Sequence, residues 1–431
     1  MALGISLPIR RNENPVQTLN AAQPFKRTSG RQNTARYGII ADDLTGATDT
    51  AAAFANNGFA VAVALAPRSL RSLDTHVVAL STYSRHDTSA DARRKVRQAC
   101  ARLRKGGWPV LYKKMDSTGQ GNIVAEVEAA RRAGGFTTAL VCPANPAQGR
   151  TVRSGILHVR GGDTLDLQER FRVQGLLEFS SITSPVSAAK VTRAIEQRHR
   201  FILADATTER DLACLAGVVL RSKHRVLLAG SGALAGELAK LLKRRASDHG
   251  IPRSQRPSSR AREEAPNNTL IVTGSNNPVT ERQLKKLTRQ RPTSSLALNR
   301  FTTRDAAAAL TSGCNVILRV PVHRQPDRVI LRQLCALAPL FHAHCVGSLV
   351  LTGGDTALLV CRSLRPLAIT LCGEIVSGLA WGKFTGGTAD GLTVCTKPGG
   401  FGSDQSLVRA VTFLSRQTAN IPPALRRRAT P

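Results

Sequence analysis

Aromatic residues are scarce, only 4% of the 431, so the core cannot rest on stacked rings and must be filled mainly by Leu, Val, Ile and Ala. No run approaches the ~18 apolar residues of a membrane-spanning helix, so none is expected. The first 36 residues lack the compact apolar stretch of a secretory signal: residues 1–9 are too short, and Arg10 and Arg11 follow them instead of preceding them. No two of the nine cysteines form a CxxC pair, and several, such as Cys142, Cys361 and Cys372, lie in apolar runs. They read as reduced, packed thiols, and the chain as cytoplasmic. Zinc-finger spacing and a Walker A sequence are also absent, which excludes a P-loop.

Acidic residues are few as well, 29 against 61 Lys and Arg, for a net charge of +32. Such an excess attracts phosphates, and a basic nucleic-acid-binding protein is the alternative it raises. The distribution argues otherwise. The cations are spread over a helix face (Arg93, Arg94, Lys95, Arg97), a Pro/Ser/Arg-rich segment (Arg253, Arg256, Arg260, Arg262) and the end of the chain (Arg426, Arg427, Arg428), with no strand of interleaved aromatics. Attraction of small anions is the milder inference, and nucleic acid is not expected as a partner. At 42% hydrophobic and 21% charged, the composition is that of a globular chain long enough for two domains.

The most informative stretch is residues 37–50, YGIIADDLTGATDT. A short apolar run stops on Asp42 and Asp43, and a tight turn leads into an Ala-rich helix closed by Gly58. Carboxylates at the end of a parallel strand, facing a helix start, stand where open α/β sheets bind ligands; equally, Asp43 could simply cap the helix. The pattern then repeats. Strands are expected at 59–65, 77–83, 110–115, 138–142, 201–206 and 225–229, and, beyond the segment 251–268, at 270–273, 316–320, 348–351, 368–372 and 392–396. Helices alternate with them, including 89–106, 278–290, 327–342 and 404–416. This alternation predicts an α/β protein of two domains, each built on a mainly parallel sheet with flanking helices. The boundaries expected are a disordered basic leader (1–36), an N-terminal domain (37–250), a linker (251–268), a C-terminal domain (269–416) and a basic tail (417–431).

Two kinds of polar cluster emerge from the strand ends. The N-terminal half gathers Asp43, Arg85, Lys114, Asp116 and Ser117, suited to a small polyhydroxylated acid: guanidinium for the carboxylate, Asp for the hydroxyls. The C-terminal half instead gathers glycine turns at Gly274, Gly353 and Gly399, where bare N–H groups can approach phosphate. Alternatives stay open: a glycine at a tight turn can be simply structural, Asp355 could cap a helix, and Lys397 could be an ordinary surface lysine. Gly230, Ser231, Gly232 and Gly236 do not have dinucleotide spacing and read as a close-packed helix start. His342, His344 and Cys345 lack further ligands, so no protein-bound metal site is expected.

With those residues in view, the chain resembles the four-carbon acid sugar kinases, which act on threonate, erythronate and 3-oxo-tetronate. The resemblance rests on ADDLTGATD (41–49), STYSRH (81–86), KKMDSTGQGN (113–122), PANPAQGRT (143–151), VTGSNNPVTERQ (272–283), LTGGDTA (351–357), GEIVSGLAWG (373–382) and TKPGGFG (396–402). It implies an ATP-dependent phosphotransferase acting with Mg²⁺ on a hydroxyl of a four-carbon sugar acid, or of another small hydroxy acid. It also implies an N-terminal acid-sugar domain and a C-terminal nucleotide domain that close on each other, with the active site in the interdomain cleft. By position it assigns substrate contacts to Asp43, Arg85, Lys114, Asp116 and Ser117, with Asp43 or Asp116 as catalytic carboxylate. Nucleotide contacts fall to Ser275, Gly353, Gly354, Asp355, Thr356, Gly399 and Gly400. Sugar acid and ATP are the partners implied, with a homodimer allowed for. The family commonly has Leu-Arg where this chain has Gly119 and Gln120, which implies one cation fewer near the substrate, and a Ser where it has Asn277.

Overall fold

A computed structural model describes residues 35–66, 70, 72–248, 267–322 and 325–419. The expected leader as far as residue 34, the linker as far as residue 266 and the tail from residue 420 lie outside the described residues.

Fifteen strands form a single sheet. Eight strands of the N-terminal half are all parallel, in the order Val61–Ala64, Val77–Ser81, Tyr37–Ala41, Val110–Lys114, Val226–Gly230, Thr138–Cys142, Phe201–Ala204 and Ser180–Ile182. Five more, Thr293–Ala297, Asn315–Arg319, Thr269–Thr273, Ser348–Thr352 and Thr393–Lys397, are parallel to one another in the C-terminal half. The hairpin Ala368–Val376 and Leu379–Thr385 joins the two sets, pairing antiparallel with Val61–Ala64 on one side and with Thr393–Lys397 on the other. The fold is therefore two-domain α/β, with helices on both faces of a mainly parallel sheet.

The strands are nearly continuous Val, Ile, Leu and Ala because helices cover both their faces. Burying a leucine fully is worth roughly 1.5–3 kcal/mol, so an aromatic-poor chain can still build a large core. Helix Leu44–Asn56 is the pivot: Leu44, Ala47, Ala51 and Phe54 are fully buried, and Thr48 accepts a 2.7 Å hydrogen bond from Thr396 Oγ1 of the other half.

Two expectations need correction. The helix expected over 327–342 is two, Asp327–Cys335 and Ala338–His342, because Pro339 has no N–H to continue the ladder and its ring opposes the preceding turn. Residues 151–200, for which no elements were expected, hold a small antiparallel sheet (Thr151–Arg153, Ile156–His158, Thr164–Asp166) and two short helices, Leu167–Val173 and Ala188–Glu196. Strands of three residues are too short for a period-2 pattern to register.

Candidate functional site

Three adjacent parallel strands, Val77–Ser81, Tyr37–Ala41 and Val110–Lys114, end at one edge and deliver Arg85, the Asp42–Asp43 pair and Asp116 to the same place. There the Arg85 guanidinium holds three carboxylates: Nε lies 2.7 Å from Asp42 Oδ2, Nη1 3.1 Å from Asp43 Oδ2 and Nη2 3.5 Å from Asp116 Oδ2. Asp43 also caps helix Leu44–Asn56, accepting from Gly46 N at 2.7 Å and Thr45 Oγ1 at 2.9 Å. Cap and cluster member are thus one residue. Gly46 is required: a Cβ there would lie 2.5 Å from Asp43 Oδ1 and 3.2 Å from Lys114 Nζ.

The two neighbouring aspartates are pushed apart. Burial would raise Asp42, but Arg85, Lys113 and Lys114 outweigh it and hold the carboxyl below its ordinary range. Asp43 goes the other way, raised by burial and by the negative charge of Asp42 despite Arg85. Such a split in a pair is the usual mark of divided acid and base roles. Lys114 is buried with its Nζ donating to Met115 O at 2.8 Å, and Ser117 Oγ accepts from Arg150 Nη1. Lys113 points elsewhere, into a buried pair with Glu126 at 2.7 Å.

The second half of the site rises from strands Thr269–Thr273, Ser348–Thr352 and Thr393–Lys397. Their ends align in register, Thr273 beside Thr352 and Thr352 beside Lys397, and lead into Ser275, Gly353 and Gly399. Gly353 has φ +93°, a conformation glycine adopts freely, and its N–H donates to Lys397 O at 2.9 Å. A Cβ on Gly399 would lie 2.5 Å from Ser275 Oγ, so turn and serine sit against each other. Thr273 Oγ1 and Thr352 Oγ1 are buried there without a hydrogen-bond partner among the described residues. Unspent hydroxyl donors at the ends of strands that lead into glycine turns suit a polyanion.

The halves meet at the chemistry. A Cβ on Gly354 would lie 2.7 Å from Asp43 Oδ2, and His86 Nε2 is 3.9 Å from Asp355 Oδ2. Beside this seam runs a cleft of about 1050 Å³ lined by Gly119, Gln120 and Arg150 from one half and Asn277, Arg282 and Gly400 from the other. It answers both departures from the family pattern. Gly119 has φ +77° and a Cβ there would strike Leu165, while Arg150, Arg160 and Arg170 line the same cleft and supply cations from other elements. Asn277 caps helix Pro278–Gln290, accepting from Val279 N at 2.9 Å, a task Asn performs as well as Ser.

Of the expected residues, Asp43, Arg85 and Asp116 converge directly, Ser117 joins through Arg150, and Ser275, Gly353, Gly354 and Gly399 form the facing turns. Asp355 and Thr356 open helix Gly354–Leu364, and Gly400 lies by Asn277. Lys397 is not a surface residue: it is fully buried, donating to Thr280 Oγ1, Pro398 O and Gly399 O at 3.2, 3.0 and 2.9 Å, and burial lowers its pKa to about 7. It thereby fixes the carbonyls of the turn that Gly399 opens. Gly230 and Gly232 serve close packing, against Cys142 O and Asp49. Among the described residues no group of three or more His, Cys, Asp or Glu could hold a metal. Nor is any described helix long and apolar enough to cross a membrane, and none of the nine cysteines is in a disulfide.

Sequence reasoning weighed Asp42 only as half of a pair with Asp43 and gave no role to Asp49, Arg150 and Glu374, although each lies inside a motif shared with the resembled family. Glu374 joins the halves, accepting from Asn56 Nδ2 and from Gly378 N, each at 3.0 Å. Burial, reinforced by Asp49, raises its pKa to about 7 from 4.5. A raised carboxyl contributes stability below pH 4.5 that is lost as pH climbs through about 7. Wild-type protein should therefore lose of order 2 kcal/mol between pH 5 and pH 8.5 that Glu374→Gln does not lose. Denaturant unfolding across that range measures it, and parallel profiles for the two proteins would refute it.

A family model described as a sugar-binding N-terminal domain matches residues 37–174, and one described as a nucleotide-binding C-terminal domain matches residues 270–407. The D-threonate kinase of Bordetella bronchiseptica is 33% identical over 408 residues, covering 86% of this chain and 96% of that protein. The D-threonate kinase of Salmonella typhimurium is 27% identical over 430 residues, with 87% and 97% covered. A crystal structure of a Haemophilus influenzae protein shares the fold at a TM-score of 0.63 and 21% identity, covering 88% of this chain and all of that one (100%).

Proposed function

The chain belongs to the four-carbon acid sugar kinase family, and on that premise we propose that it transfers the γ-phosphoryl group of ATP to a hydroxyl of a four-carbon sugar acid, D-threonate first among them. The observation that carries this reading is the approach of the Gly354 backbone to the Asp43 carboxylate, because it sets a polyanion turn against a hydroxyl acceptor. Residues 37–250 would hold the acid and residues 269–416 the nucleotide, in a cytoplasmic enzyme.

Phosphoryl transfer needs mainly positioning and charge neutralisation. Lys114 and Arg85 supply positive charge for the acid carboxylate, and Asp116 and Ser117 accept from its hydroxyls. Asp43, the carboxylate of raised pKa, takes the proton of the attacking hydroxyl. Ser275, the turn from Gly353 to Thr356, and Gly399 with Gly400 offer hydroxyl and backbone donors to the triphosphate. The donor set fits that group, since Thr273 and Thr352 also keep unspent hydroxyls beneath it. Asp355, in the first turn of helix Gly354–Leu364 beside the glycine turn, is the carboxylate that would hold a Mg²⁺ arriving with the nucleotide. When bound, it would neutralise charge on the β- and γ-oxygens.

The test is ADP release and phosphorylated product from D-threonate, D-erythronate and 3-oxo-tetronate with ATP and Mg²⁺. Turnover of about 1–100 s⁻¹ is expected on at least D-threonate. No phosphorylated acid across the panel would overturn the reading.

A further inference from the structure

Arg150 sits in a rigid place. It follows the turn Pro146–Gln148 and Gly149, whose φ is +68°, and its backbone exchanges hydrogen bonds with Asn145 at 2.7 and 3.1 Å. The residue is only 8% exposed. Nη1 donates to Ser117 on the acid side, Cζ lies 4.5 Å over the ring of Phe401, and a Cβ on Gly400 would come within 3.9 Å of Nη2 on the nucleotide side. The guanidinium therefore spans the seam.

What distinguishes it is unspent charge. Arg85, already facing Asp42, Asp43 and Asp116, and Lys114 are turned to the acid's carboxylate, Lys397 is sealed beneath carbonyls of its own turn, and Lys113 is paired with Glu126. Among the described residues no carboxylate lies within 4.0 Å of Arg150, and its side chain makes one hydrogen bond out of five N–H donors. A buried guanidinium cannot shed its proton, so it gains most from an anion that arrives with the substrates. The stack on Phe401 uses the face of the group and leaves its N–H edge free.

We propose that Arg150 is a catalytic residue that binds the phosphoryl group as it passes from nucleotide to acid. This rests on the kinase reading above. In the step, the acid's hydroxyl oxygen bonds to the γ-phosphorus, the bond from that phosphorus to the bridging oxygen breaks with its electron pair leaving on ADP, and the hydroxyl proton goes to Asp43. Arg150 exchanges no proton. It pairs with the equatorial oxygens, whose charge a dry site makes costly to leave unmatched.

The experiment compares full-length wild type with Arg150→Gln and Arg150→Lys. With D-threonate, Arg150→Gln should lower kcat by about 10³-fold while the KM for the acid moves less than about threefold. Calorimetry without acid adds a second readout: wild type should bind ATP about tenfold more tightly than ADP, and Arg150→Gln should bind both alike. Guanidinium ion added to Arg150→Ala should restore part of the lost turnover, which a merely structural role would not allow. Arg150→Lys keeps the charge, so it should keep part of the ATP preference, and it carries the test if the other variants fail to fold. An unchanged kcat, a loss confined to the acid's KM, or an ATP preference surviving in Arg150→Gln would each overturn the proposal. If wild type turns over no tetronate but its ATP preference disappears in Arg150→Gln, the acceptor reading falls and Arg150 keeps its place. If wild type shows neither turnover nor an ATP preference, both fall.

Discussion

Asp43→Asn should lower kcat by about 10²–10⁴-fold while leaving the thermal midpoint almost unchanged. The separation follows from the two tasks of one carboxylate. As helix cap, Asp43 needs only a side-chain oxygen toward Gly46 N, and Asn supplies one at similar strength. As proton acceptor it needs a carboxylate, and Asn has none. The raised pKa of Asp43 adds a signature: the acid limb of the wild-type kcat profile, where the carboxyl is protonated and idle, should disappear in the variant. Steady-state kinetics from pH 4 to pH 8, alongside thermal unfolding, decide the matter. Turnover near wild type would remove Asp43 from the chemistry and leave Asp116 in its place.

Arg85→Met should cost about 3–5 kcal/mol of stability, because it leaves buried carboxylates without their cation. Asp42 is the most vulnerable, at 2% exposure and with Oδ1 already lacking a hydrogen-bond partner. The loss should depend on pH in a stated direction. Asp42 has a folded pKa below its ordinary 3.8, so its pairing stabilises the fold above about pH 4 and less as pH falls through the lowered value. The gap between wild type and variant in denaturant unfolding should narrow on acidification, and a gap independent of pH would count against the pairing. Arg85→Lys should recover little, since a single ammonium cannot reach three carboxylates at once.

Much of this site was legible beforehand because parallel strands write their ends into the sequence. Each apolar run at 37–41, 77–81, 110–114, 269–273, 348–352 and 393–397 stops on polar or glycine residues, and within each of the two parallel sets the sheet brings those ends to one edge. The place of Lys397 was left open for a corresponding reason: nothing local tells whether a lysine after a strand reaches solvent or folds back under its own turn. Arg150 stood in a recognised motif yet received no role, because its meaning lies in Phe401, about 250 residues away in the chain. The hairpin that fuses the two sheets was hidden too, since its strand Ala368–Val376 pairs with Val61–Ala64 through contacts that no window of sequence contains.

The sequence by itself determined the α/β class, the alternation of elements, and the identities of Asp43, Arg85, Asp116 and the glycine turns. These follow from local periodicity, strand length and turn chemistry, which depend on near neighbours. Only the tertiary structure decided that Arg85 serves three carboxylates, that Gly354 lies against Asp43, and that Arg150 stacks on Phe401 across the seam with no carboxylate paired to it among the described residues. Charge balance and close approach depend on which side chains share a volume, and those side chains are tens to hundreds of residues apart in the chain, in the last two cases on opposite halves of it.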